Sequence, residues 1–146
     1  MKRFFSLCLI GLAAVSTSGQ MQGSFTDVPA YNAAPPPSSK KLNPILAGMQ
    51  LTGPTFHHPA QIASYKAAAR NSKVLYQLPC YCYCDRGHGH NSLRSCFESE
   101  HGANCTTCMQ EALLADQLTK QGKTAKQIRE AIKRGEYKNV DLETIR

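Results

Sequence analysis

Tryptophan is absent from this 146-residue chain, acidic residues are scarce at 10 against 17 Lys and Arg, and no proline follows Pro79. Past Val15, no apolar run approaches the ~20 residues of a membrane-spanning helix. No glycine-rich loop opens a helix in the manner of a phosphate site. The aromatics that single-strand nucleic-acid binders interleave with their cations are missing too, Tyr137 standing alone in the basic stretch. These gaps argue against nucleotide and nucleic-acid chemistry. The length allows one ordinary domain, which excludes a large enzyme.

What is present begins with Met1-Lys2-Arg3, an apolar run from Phe4 to Val15, and the small residues Ser16 to Gly19. A basic start, about a dozen apolar residues and a small-residue exit predict a secretory signal peptide over 1–19. Cleavage there removes Lys2, Arg3 and Cys8, so the net charge falls from +7 to +5 and the cysteine count from seven to six. An even count in an exported chain suits a disulfide or metal framework. Cys8 sits inside the apolar run behind Leu7, where a lipid-modified cysteine would want a small neighbour, which argues against a lipoprotein. The expected location is periplasmic or secreted, with no transmembrane segment in the mature chain.

All eight prolines lie between Pro29 and Pro79, three of them consecutive at Pro35-Pro36-Pro37. The composition of residues 20–55 predicts a disordered, Pro-rich tether, and folding is expected from Phe56 onward, over 56–146. That domain reads as all-α. Pro59 suits a first helical position before Ala60–Arg70, and a turn or two follows over Lys73–Leu78. The stretch Pro79–Gly89 reads as an extended loop, with a short extended pairing around Tyr81–Tyr83, and Asn91-Ser92 caps a short helix through Phe97. The clearest helix is Cys105–Gln121, stopped by Gly122; a second starts at the Thr124–Gln127 capping box and ends at Gly135, so the two form a helical hairpin. His57-His58 read as exposed capping residues rather than ligands.

The basic excess is local. Seven Lys or Arg against two acids lie between Lys120 and Lys138, which reads as a solvated amphipathic face.

The unusual chemistry lies between Pro79 and Cys108. Cys80, Cys82 and Cys84 alternate with Tyr81 and Tyr83; His88 and His90 follow in a Gly-spaced turn, then Cys96, His101 and Cys105-x-x-Cys108. In an extended segment, residues two apart face the same side with Cα atoms roughly 6.5–7 Å apart, at or beyond the usual disulfide span. A row of thiols suits soft metal ions better, since neighbouring sulfurs share or bridge Cu(I) or supply two ligands to Zn(II). Cys105 and Cys108, one helical turn apart, face the core, and the helix N-terminus should favour their thiolates.

Three readings compete. In the first, a subset of Cys80, Cys82, Cys84, Cys96, Cys105 and Cys108, with His88, His90 or His101, holds copper or zinc. In the second, up to three disulfides staple a structural or interaction domain. In the third, Cys105 and Cys108 exchange thiol and disulfide. Haem attachment would need His after C-x-x-C, where Met109 stands, and no motif supports a Cys-His protease.

Pro79-Cys80-Tyr81-Cys82-Tyr83-Cys84, Gly89-His90-x-x-Leu93-x-x-Cys96-Phe97 and His101-Gly102-Ala103-x-Cys105-x-x-Cys108, followed by Glu111-Ala112, resemble the bacterial exported proteins named for a PCYCGC motif. The resemblance extends forward through Gly122-Lys123-Thr124 and Ile128-Arg129, and back to His58-Pro59 and Tyr65. The departure is Tyr83, where the motif has Gly. The resemblance implies an exported, cysteine-rich helical domain and leaves its chemistry open. The hairpin with C-x-x-C at its start is also distantly similar to the thiol reductases of cytochrome c maturation. The expectation is an envelope protein that buffers, sequesters or delivers copper or zinc, partnered by the ion and by an envelope metal-handling or redox protein, with no catalytic step.

Overall fold

The computed structural model describes residues 27–146; the expected signal peptide and the first residues of the tether lie outside the described residues. Among the described residues the fold is helical and contains no strand. Helix α1 spans Pro59–Arg70, α2 Ser72–Leu75, α3 Cys84–His88, α4 Thr106–Lys120 and α5 Ala125–Lys133, with 3-10 turns between and after them.

Local chemistry explains the boundaries. His58 caps α1: its Nδ1 accepts from the Ala60 amide at 3.2 Å, and Gln61 Oε1 accepts from the His58 amide at 2.8 Å. Pro59 then supplies a first helical residue with no amide to satisfy. At the end of α4, Gly122 takes φ +76°, and the Lys123 and Gly122 amides reach the Leu118 and Thr119 carbonyls at 3.0 and 2.9 Å. This is the paired bonding of a Schellman cap, which turns the chain into α5. Thr124 and Gln127 form the expected capping box.

Helix α4 is the hub. It packs most extensively on α1, more than on its hairpin partner α5, because its buried residues Cys108, Ala112 and Ala115 meet the small buried face of α1 at Ala67 and Ala68. Tyr65 of α1 stands at the centre, its ring edge-on to Phe56 (5.2 Å) and to Phe97 (4.9 Å). From 27 to 47 the chain has no helix or strand, as its composition predicts. It nonetheless runs against the helices: Pro29 is fully buried, Asn32 donates to the Tyr76 carbonyl at 2.9 Å, Asn43 to Glu98 at 3.0 Å, and the Leu46 amide to the Phe97 carbonyl at 3.0 Å.

Two local expectations are corrected. Pro79–Gly89 is not extended throughout, and Tyr81–Tyr83 makes no strand pairing. The chain turns at once, the Tyr83 amide bonding back to the Cys80 carbonyl at 3.0 Å, and then winds into α3. The turn is made at Tyr83, whose φ of +56° reverses the chain direction. Residues Leu93–Phe97 form a 3-10 turn, and Ser92 precedes it without a side-chain capping bond.

Candidate metal centre

Three anchors bring the cysteine-bearing segments together. The first is Glu111 on α4. It is fully buried, and its Oε1 accepts from the Tyr81 amide at 2.9 Å, which ties the Cys80–Cys84 turn to the helix. The second is Tyr65, whose hydroxyl donates to the Ser99 carbonyl at 2.5 Å and accepts from the Ala103 amide at 3.2 Å, while Gln61 donates to the Ala103 carbonyl at 2.9 Å. Together these hold the 3-10 turn Glu100–Asn104 that carries His101 and delivers Cys105 to the start of α4. The third is the Leu93 amide, which bonds to the Leu78 carbonyl at 2.9 Å and brings Cys96 alongside.

The result is a convergence of sulfur. Sγ of Cys80 lies 3.3 Å from that of Cys108 and 3.4 Å from that of Cys82, and Cys82 is 3.7 Å from Cys108. Cys84 and Cys96 are 3.4 Å apart, and His90 Nδ1 is 3.4 Å from Cys96 Sγ. All six are free thiols, and these separations are far from the ~2.05 Å of a disulfide bond. Cys80 is nearly equidistant from two partners, so the sulfurs do not fall into separate pairs. Cys80, Cys84, Cys96 and Cys108 are buried, while Cys82 and Cys105 are half-buried.

Histidines form the rim. The rings of His88, His90 and His101 stand 4.6 to 5.7 Å from one another. His101 Nε2 is buried without a hydrogen-bond partner. His58, by contrast, serves as the α1 cap, and His57 bonds to the Pro54 carbonyl, as their reading as capping residues implies.

Ligand-type atoms within 4.8 Å of one another make four overlapping sets: Cys82, His101, Cys105 and Cys108; Cys84, His90, Cys96 and His101; Cys80, Cys82 and Cys84; and Cys80, Cys96 and Cys108. Of the candidate ligands named from the sequence, all but His88 belong to at least one set; His88 stands beside His90 and His101 on the exposed rim. Two sulfurs on one tetrahedral ion, each bonded at about 2.3 Å, stand about 3.8 Å apart, so the observed spacings are those of shared coordination.

Electrostatics agree with a site that wants a cation. Hydrogen bonding to Cys108 and then to Cys82, Cys84 and Cys96, with burial, pushes the Cys80 thiol up. Cys108 is also pushed up, first through Cys105. Cys82 is shifted down, first through Cys105 and then through Cys108 and Cys80, and Cys96 is lowered to about 4, first through Cys108. Cys105 and Cys108 both depart from the expectation that the helix N-terminus favours their thiolates: Cys108 is raised, first through Cys105, and Cys105, the N-cap of α4 rather than a helical residue, is lowered by its bond with Cys108 but left raised to about 11 by Cys82 and burial.

Glu111 is the residue that sequence reasoning did not single out as part of the site. Burial pushes its carboxyl well above the usual range, and its Oε2 is buried without a partner. The available signal was its position: three residues after Cys108, it falls on the same buried face of the helix.

The family described as proteins of unknown function with a PCYCGC motif matches residues 50–141. No curated protein and no solved structure matches the chain.

Proposed function

On the premise that the chain belongs to the PCYCGC-motif family, we propose that it binds a soft transition metal through its cysteine and histidine cluster, copper(I) before zinc(II), and that its role is to buffer, sequester or deliver that metal in the cell envelope. The observation that carries the reading is the set of four mutually close donor groups drawn from six free thiols and two imidazoles. Thiolate donors select Cu(I) and Zn(II), and oxygen-preferring ions find no carboxylate in any of the four sets. The ligands are Cys80, Cys82, Cys84, Cys96, Cys105 and Cys108, with His90 and His101. Half-buried Cys82, Cys105, His90 and His101 line the side from which an ion enters, over buried Cys80, Cys84, Cys96 and Cys108. Export rests on the expected signal peptide.

Intact-mass measurement of protein isolated anaerobically from the envelope fraction, with and without chelator, tests this. A reduced chain that carries copper or zinc is the expected result. A metal-free chain six hydrogens lighter than the reduced form would replace the metal reading with three disulfides.

A further inference from the structure

The donor groups overlap in a particular pattern. Cys80, Cys82, Cys84, Cys96 and Cys108 each belong to two of the four sets, and no two sets share more than one residue. If each set marks one ion, every pair of ions is joined by one shared residue. Cys82 joins the first set to the third and Cys108 joins it to the fourth; Cys84 joins the second to the third and Cys96 joins it to the fourth; Cys80 joins the third to the fourth. The remaining connection, first to second, is made by His101, with Cys105 beside it in the first set and His90 in the second. His101 offers one nitrogen, which serves one ion at a time, so five edges are bridged by thiolates and the sixth stays open between terminal donors: four metals in an open tetrahedral cage. That is the preferred arrangement when three-coordinate Cu(I) ions outnumber what terminal thiolates can serve.

Resting on the proposed metal-binding function, we infer that the cluster holds four copper(I) ions in one thiolate-bridged cage. The five doubly shared cysteines bridge, and Cys105, His101 and His90 are terminal ligands at the two corners of the open edge. Distances inside the cluster match. Cys80, whose sulfur is shared by the third and fourth ions, has Cys82, Cys84, Cys96 and Cys108 as its hydrogen-bonding neighbours, the four edges that meet its own. The close triangle of Cys80, Cys82 and Cys108, at 3.3 to 3.7 Å, corresponds to an open face of the cage. Opposite edges, Cys82 against Cys96 and Cys84 against Cys108, never fall in one set.

The step balances without an oxidant or reductant. Four Cu(I) ions displace the protons of six thiols to solvent, six thiolates remain, and two net negative charges are left in the cage.

The test is anaerobic titration of the reduced chain with Cu(I) supplied as its acetonitrile complex, followed by native mass spectrometry and copper X-ray absorption. The expected result is a four-copper species that forms cooperatively, with little one-, two- or three-copper form, and short copper–copper scattering. Saturation at one or two ions without copper–copper scattering would overturn the cage and leave the binding function standing. Failure to bind copper at all would overturn both. A Cys80→Ser chain, checked for retained helix content, should saturate below four; full four-copper loading in that variant would also overturn the cage.

Discussion

Tyr83 holds a backbone conformation that L residues avoid. Its φ of +56° lies in the left-handed region, at a cost of roughly 1–2 kcal/mol for a side chain bearing Cβ. The family motif has Gly at this position, and the structure supplies the reason: the turn that folds Cys82 and Cys84 back toward Cys80 needs it. Tyr83 is kept by its ring, which lies edge-on to Tyr81 at 5.9 Å and under Arg86 at 4.2 Å. Replacing it with Gly exchanges these contacts for relief of strain, so Tyr83→Gly should change stability by no more than about 1 kcal/mol. Tyr83→Val, β-branched, should lose about 1–3 kcal/mol. Thermal unfolding of the reduced metal-free chain separates the two.

Gly102 has a different constraint: a Cβ there would sit 2.9 Å from the Cys96 carbonyl oxygen and 3.0 Å from the Phe97 ring. Gly102→Ala should therefore cost about 1–3 kcal/mol and displace Cys96, read as lowered stability together with weakened copper binding. At Glu111, whose buried carboxyl accepts from the Tyr81 amide, Glu111→Gln keeps the acceptor and should leave both stability and copper stoichiometry near wild type. Glu111→Leu strands the amide and should lose about 1–3 kcal/mol. Urea unfolding, paired with a copper titration of each variant, reads both effects.

At the scale of elements, α1 and α4 are joined through Asp116. Its carboxylate accepts from Asn71 at 2.7 Å, from Arg70 at 2.9 Å and from Lys120 at 2.8 Å. Burial works against its charge, but Arg70, Lys120 and Asn71 outweigh it and lower its pKa to about 2. The Arg70 and Lys120 side chains are 53% and 69% exposed, so water screens their share, and the buried Asn71 bond contributes more. Because the folded value lies below the unfolded ~3.9, the contribution is present above about pH 4 and fades as pH falls through 2. Asp116→Ala should lose about 1–2 kcal/mol at pH 7, with the difference from wild type shrinking between pH 4 and 2 in urea unfolding.

The basic stretch resolves at the same scale. Lys120, Lys133 and Arg134 pair with Asp116, Glu130 and Glu136, and Arg129 donates to the Gln77 carbonyl at 2.9 Å while lying 4.6 Å from the Tyr31 ring. The three ion pairs are local, within four residues, whereas Arg129 ties α5 to Gln77 and to the segment that carries Tyr31.

For the whole molecule, a small core surrounds the cluster of six thiols, so the proposed metal would add to a modest intrinsic stability. Binding an ion at a hundred times its dissociation constant adds about 2.7 kcal/mol, and for a domain of this size each kcal/mol raises Tm by roughly 4–8 °C. Copper-loaded chain should therefore melt more than about 10 °C above the reduced metal-free chain, and a copper chelator should reverse the shift in differential scanning calorimetry.

The helices α1, α4 and α5, their caps at His58, Gly122 and Thr124, and the ligand residue types were all legible from the sequence, because caps and apolar periodicity act within a few residues. The path of Pro79–Gly89 was not, because an extended reading of alternating Cys and Tyr cannot show that Tyr83 accepts a left-handed turn. Nor could spacing reveal Glu111, whose role requires a partner 30 residues earlier. What the sequence determined by itself is the inventory: six thiols in a compact block beside strong helix signals. Only the tertiary structure decided which sulfurs are neighbours, because Tyr65, Glu111 and the α1–α4 contact bring together residues far apart in the chain, and overlapping donor sets exist only once those long-range bonds have formed.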